Sequence, residues 1–345
     1  MGVRSTMSRF LRLMVMAVIL LPMAGCVFRS HRVEQRISTA HLQEATKDQL
    51  IEFINKEANQ VQSLNATVDI SPAVGGSKKG QVTEYTDISG YVLVRKPSML
   101  RMIGLAPVIR NRMFDMVSDG VNFSLSIPPK NKFIVGRNDT IHAGHSALEN
   151  LRPQAIFDAL LLREIDPQNE IAVLENTWEP VLEPKSKKPV EEPDYTIDVI
   201  RKNGDGWHLS RKIIFNREDL LPNRQIIYDK AGNVATDARY EAYGNYNGIQ
   251  FPSKIGINRP QEEYDIILEV VKAKFNEPLT DEQFQLPQPQ GSELVRLDLP
   301  ESQRLQIPQP QVRQKKTKPP QSHGPGVQNA DPPSASPDRS QDDKQ

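Results

Sequence analysis

The 345 residues include 43 Lys or Arg and 43 Asp or Glu, so the formal net charge is zero. Hydrophobic residues make up 38% and charged residues 25%, with 27 Pro, 19 Gly and a single Cys. That balance excludes a collagen, a coiled coil and a disulfide-stapled miniprotein. It also argues against a whole-chain nucleic-acid binder, which needs excess positive charge to release counterions.

The two ends differ from the middle. Arg4, Arg9 and Arg12 precede an apolar run from Leu13 to Gly25. That run is too short for a membrane span, which takes about 20 residues, and reads instead as a secretory signal. It ends at Met23-Ala24-Gly25-Cys26, around the only cysteine. The boundary resembles a bacterial lipoprotein signal, which implies removal of 1–25, acylation of Cys26 and anchoring of the mature chain in a membrane. Met23 departs from the leucine usual at its position. Val27 follows the cysteine where inner-membrane lipoproteins of enteric bacteria carry Asp, so the resemblance implies an outer-membrane location facing the periplasm. The alternative is an uncleaved N-terminal helix with a buried thiol.

A linker over 26–44 leads to the first predicted helix. Thr46 and Gln49 have capping-box spacing, and Leu50, Ile51, Ile54, Ala58 and Val61 recur at helical intervals. The following segment, Leu64 to Ile70, begins a β alternation. Strands are then expected over 88–94, 99–105, 112–118, 121–127 and 132–136, and later over 195–201, 207–216, 224–229, 237–246, 249–257 and 264–275. Asp119-Gly120, Asn203-Gly204, Gly232-Asn233 and Asn247-Gly248 separate adjacent runs as hairpin turns. Pro153 fits the first turn of a second helix. The segment 180–193 reads as an exposed loop. The expected fold is mainly β: a curved antiparallel sheet of roughly ten or eleven strands forming a half-open barrel closed by helices.

Beyond about Pro300 the chain is rich in Pro, Gln, Ser and Lys and holds no aromatic residue. Such a segment cannot bury enough apolar surface to offset the entropy of ordering. It is either a solvated tail or a docking strand for an envelope protein or the cell wall.

No nucleophile elbow, phosphate loop, dinucleotide fingerprint or zinc-protease motif occurs, and no cofactor is implied. Asp139, His142 and His145 form the best metal-like group, but Gly144 disfavours the helix their spacing would need, so no metal site is expected. Catalysis therefore has no candidate residues beyond His208 or Glu241, should either sit in a cavity. What the strands do offer is apolar residues on shared faces. Leu100 and Met102, Phe114 and Met116, Phe123 and Leu125, then Trp207, Leu209, Ile213 and Phe215, and finally Ile266 and Leu268 are candidates to line an acyl-chain cavity. The alternative is that they fill a packed core.

These elements in their order resemble the LolA/LolB superfamily of bacterial lipoprotein carriers and receptors. The residues that carry the resemblance are Val61–Ala66, Gly90–Arg101 with Pro97, Asp119–Phe123, Pro128–Lys132, Arg224–Gly232, Tyr240–Tyr243, Gly248–Pro252 and Asn276–Phe284. It covers about 45–290, leaving 291–345 as the tail. The resemblance implies an incomplete barrel over an apolar cavity that takes lipid or lipoprotein acyl chains, without catalysis. It also implies a membrane-contact loop, for which Leu105, Pro107, Val108 and Ile109 stand in the corresponding place; a buried bend is the alternative. A non-catalytic scaffold that docks partners through its sheet and tail is the second functional expectation.

Overall fold

A computed structural model of the chain describes residues 41–76, 80–139, 151–182, 189–204 and 206–299, together with the short strand 305–306. Cys26, His142, His145 and the tail beyond 306 lie outside the described residues. The first helix, α1 (Lys47–Gln60), starts at Thr46, whose hydroxyl accepts the Gln49 N–H while the Gln49 side chain accepts the Thr46 N–H. Two otherwise orphaned donors are thereby met at the helix start.

Among the described residues the strands form one open, curved sheet of sixteen strands. In chain order they are β1 (Ser63–Gly76), β2 (Gln81–Glu84), β3 (Ile88–Arg95), β4 (Met99–Leu105), β5 (Arg112–Ser118), β6 (Asn122–Ile127), β7 (Lys132–Arg137) and β8 (Glu170–Leu182). There follow β9 (Pro189–Asn203), β10 (Gly206–Asn216), β11 (Pro222–Tyr228), β12 (Val234–Tyr246), β13 (Ile249–Arg259), β14 (Tyr264–Phe275), β15 (Glu293–Arg296) and β16 (Leu305–Gln306). The order across the sheet is β16-β15-β7-β6-β5-β4-β3-β1-β14-β13-β12-β11-β10-β9-β8, with β2 paired to β1. Among the described residues β8 and β16 end the path, so the curved sheet is open, as the expected half-open barrel implies.

The second helix, α2 (Pro153–Leu160), touches β4 and β5 as well as β12 and β13. Those pairs are separated in the sheet by β3, β1 and β14, so the sheet must curve around the helix. Gln225 donates to the Asp158 carbonyl at 2.9 Å and Tyr240 to the Ala159 carbonyl at 2.9 Å. Carbonyls at the end of α2 are thus satisfied by the sheet itself.

The four expected turns are present, with Gly120, Gly204, Gly232 and Gly248 all at positive φ. The strand count is higher than expected because pairing partners, not local signals, make strands of β8 and β15. β8 contains Pro180 and no turn dipeptide precedes it; as the sheet's edge strand it tolerates a residue without an N–H. The supposed loop at 180–193 is shorter, because Pro180–Leu182 pair with Pro189–Glu191. β15 joins β7 in parallel after a long crossover, which no hairpin signal announces. Val295 and Leu297 are buried there, so the ordered sheet passes the expected boundary at 290.

Two apolar clusters result. The larger unites the inner faces of β1, β3–β6 and β12–β14 with α2, and the smaller packs Leu50 and Ile54 of α1 on Tyr195, Ile197, Val199, Ile213 and Phe215. Phe53 meets Phe215 edge-to-face at 5.7 Å.

Asp194 on β9 is buried, and burial pushes its carboxyl up to about 7; Asn223 opposes this and Glu192 and Glu179 reinforce it. A folded value above the unfolded one means that the native chain holds the proton longer. The stability that this carboxyl contributes is then fully present below about pH 4 and is lost as pH rises through about 7. Asp194→Asn is expected to melt higher than the parent at pH 8, by about 1–3 kcal/mol of stability, and equally at pH 3. Thermal melts at both pH values check this; the same difference at each would contradict it.

Candidate functional site

Among the hollows of the described residues, two bear on function: an apolar one and a polar one. The first is an apolar cavity of about 430 Å³, within the roughly 300–1,000 Å³ usual for ligand pockets. Its walls come from Ile70, Pro72 and Val74 on β1, Ile88 on β3, Met102 on β4, Phe114 on β5, Ile127 on β6, Leu151, and Tyr264 and Ile266 on β14. The alternation of β1 turns Ile70, Pro72 and Val74 to one side, as it does Ile88 with the buried Val92 and Val94 of β3. Gly104 has no Cβ to meet the Phe114 ring, which lies 2.4 Å from where that atom would stand. The polar groups in the lining are few: Asp265 is tied to Asn258 at 2.6 Å, and Lys130 stands exposed at the rim.

Pro107 belongs to this lining and to the β4–β5 loop. Beyond it, Val108 is 97% and Ile109 68% exposed. Val108 has φ 65° and Arg110 φ 53°, in the left-handed region that a β-branched residue rarely enters. The loop is closed by the Ala106 N–H to the Asn111 carbonyl at 2.8 Å and by the Arg110 N–H to the Ala106 carbonyl at 3.1 Å. Strained backbone here presents two aliphatic side chains to solvent, with no packing to show for it. The expected exposed tip thus has Val108 and Ile109 as its residues, while Leu105 is buried at its base.

Of the residues expected to line the cavity, Met102, Phe114 and Ile266 do so. Leu100, Met116, Phe123, Leu125 and Leu268 are buried in the packed part of the larger cluster. Ile213 and Phe215 belong to the smaller cluster, under α1. Trp207 and Leu209 do not share their face, because a bulge between Leu209 and Arg211 reverses the alternation of β10. Trp207 is accordingly half exposed. Residues of β1, Ile88 and Tyr264 complete the wall; the alternation of β1 was the available signal for the first group.

The second hollow is a polar cleft of about 1480 Å³ between α2, β9–β12 and the β13–β14 turn. Gln154 and Asp158 of α2 face it, opposite His208, Arg201 and Arg211. The same bulge places His208 and Arg211 on one face: His208 pairs with Arg201 and Arg211 with Val199, two residues apart on β9. Asp158 donates no charge readily, since burial pushes its carboxyl upward against the Gln154 hydrogen bond of 2.9 Å. Glu241 lies elsewhere, exposed and paired with Lys254 at 2.9 Å. Among the described residues no group of three His, Cys, Asp or Glu is arranged for a metal ion, and no helix is long and apolar enough to cross a membrane.

No protein-family model matches the chain, and no curated protein matches it. Solved structures with similar chain paths include a LolA superfamily protein from Nitrosomonas europaea, at 14% identity and TM-score 0.42, covering 70% of this chain and 99% of that one. A DUF1329 family protein from Desulfovibrio piger is similar at 15% identity and TM-score 0.43, covering 69% and 95%. An outer membrane lipoprotein-sorting protein domain from Vibrio parahaemolyticus is similar at 10% identity and TM-score 0.41, covering 69% and 97%.

Proposed function

We propose that this chain is a non-catalytic envelope protein that takes an acyl chain of a lipid or lipoprotein into the apolar cavity beside β1 and β14. The observation that carries the reading is continuity: Pro107 lines the cavity, and the next two residues, Val108 and Ile109, are the most exposed aliphatic pair of the loop. An apolar hollow and an apolar tip sharing one rim suit transfer between a bilayer and a binding site. Each buried methylene contributes about 0.8 kcal/mol, so even half of a fatty chain would give usable affinity after the costs of binding. Lys130 at the rim is placed to meet an anionic headgroup. Acylation at Cys26 would hold the protein on the outer membrane with the cavity in the periplasm, as the signal's pattern implies.

Val108→Asp combined with Ile109→Asp tests the loop. Both side chains project into solvent, so thermal stability is expected to stay within about 0.5 kcal/mol. Transfer of a fluorescent fatty acid from anionic vesicles to the chain lacking residues 1–26 is expected to slow about tenfold, because carboxylates cannot enter the interface. Unchanged transfer would rule out the loop as the membrane contact.

A further inference from the structure

The polar cleft shares no lining residue with the apolar cavity. Its floor is formed by Arg163 after α2, Arg201 on β9 and Arg211 on β10. All three turn to one buried carboxylate, Glu170 at the start of β8. Arg201 lies 2.6 Å from it, Arg163 3.1 Å and Arg211 3.8 Å. One negative charge facing three positive ones leaves an excess of about two at that point; Arg211 and Glu170 are buried, while Arg163 and Arg201 reach solvent.

The other carboxylates of the cleft do not relieve this excess. Glu262 is held by Arg259 at 2.5 Å, Asp229 accepts from the backbone N–H groups of Ala231 and Asn233, and Asp139 pairs with Arg137 at 2.9 Å. Asp158 is pushed towards its neutral form by burial. Arg211 itself is 3% exposed. Its terminal nitrogens donate to the carbonyls of Arg163 and Glu164, at 2.8 and 2.9 Å. Its Nε is buried with no hydrogen-bond partner among the described residues, and so is Nδ1 of the neighbouring His208. Burial, with Arg163 beside it, draws the Arg211 guanidinium down to about 10.

An unmet buried polar atom costs about 1–3 kcal/mol. Arg211 Nε can only donate and so marks a place where an acceptor is missing, and His208 Nδ1 donates there when it carries the proton. Gln154 Oε1, also unmet at this cleft, can accept from a ligand hydroxyl. The acceptor must bring roughly two negative charges and several oxygens at guanidinium spacing. A phosphate monoester does this near neutral pH, where its second ionisation is largely complete. We infer that the cleft between α2 and β9–β12 is a binding site for a dianionic phosphate monoester, whose oxygens accept from Arg201, Arg211 and His208. The chemistry is common to a lipid headgroup with a terminal phosphate and to a free phosphorylated small molecule.

Calorimetric titration of the full-length protein in phosphate-free buffer tests this, with glycerol 3-phosphate and dihexanoyl phosphatidic acid as probes. Both are expected to bind, and Arg201→Gln and His208→Ala are each expected to weaken binding about tenfold. Arg201 is partly exposed and two arginines remain on Glu170 without it, so that variant keeps the fold. Tighter binding of the lipid than of glycerol 3-phosphate assigns the site to a headgroup; equal binding assigns it to a soluble phosphate monoester. Val74→Trp, which occupies the apolar cavity, is expected to leave glycerol 3-phosphate binding unchanged. No binding of either probe at millimolar concentration, or binding that is the same in wild type, Arg201→Gln and His208→Ala, would overturn the inference.

Discussion

Glu170→Ala is expected to destabilise the fold by about 3–5 kcal/mol, the range for removing one partner of a buried ion pair. The carboxylate is 1% exposed, accepts the Asp166 N–H at 3.1 Å and is approached by three arginines. Arg163 and Arg201 are 48% and 37% exposed, so solvent screens them and their share of the loss is small. The cost falls on Arg211, which is buried and would keep its charge with no carboxylate beside it. Asp166 would lose the acceptor that holds the turn into β8. Urea unfolding of parent and variant measures the difference. A loss below about 1 kcal/mol would mean that water reaches the cluster and that Arg211 is not confined as described.

Filling the apolar cavity is expected to have the largest effect on binding. Val74 faces inward from β1 and lines the cavity, where space remains for a larger side chain. Val74→Trp should place its indole in that space and displace about three methylenes of a bound chain. At about 0.8 kcal/mol each, that is roughly 50-fold in affinity. Because the space is hollow, the fold should lose less than about 1 kcal/mol, whereas overpacking a full core would cost about 1–3 kcal/mol. Stability and affinity thus move differently in the two cases. A large loss of stability would show that the cavity has no room for the ring.

Much of the architecture was legible in the sequence because local chemistry fixes it. Thr46 and Gln49 mark the start of α1, Pro153 the start of α2, and the glycines at 120, 204, 232 and 248 the hairpins. Features set by distant partners were not legible. β8 is a strand because β9 lies beside it, although Pro180 argues against one locally. β15 depends on β7, far earlier in the chain. The bulge after Leu209 separates Trp207 from Ile213, and nothing in the alternation of that strand announces it. The cavity was legible in Met102, Phe114 and Ile266, whereas Leu100 and Leu125 on the same faces are packed. Which residues of an apolar face meet a void depends on how far the sheet curves around α2. The arginine cluster is built from positions 163, 201 and 211 around Glu170, and only the fold brings them together.

The central claim is that the apolar cavity holds an acyl chain. Its most direct test is titration of a fluorescent fatty acid into the chain lacking residues 1–26, beside Val74→Trp. Saturable binding that weakens roughly 50-fold in the variant, with thermal stability retained, is the predicted result. Absence of saturable binding to the parent, or equal binding by both proteins, would contradict it.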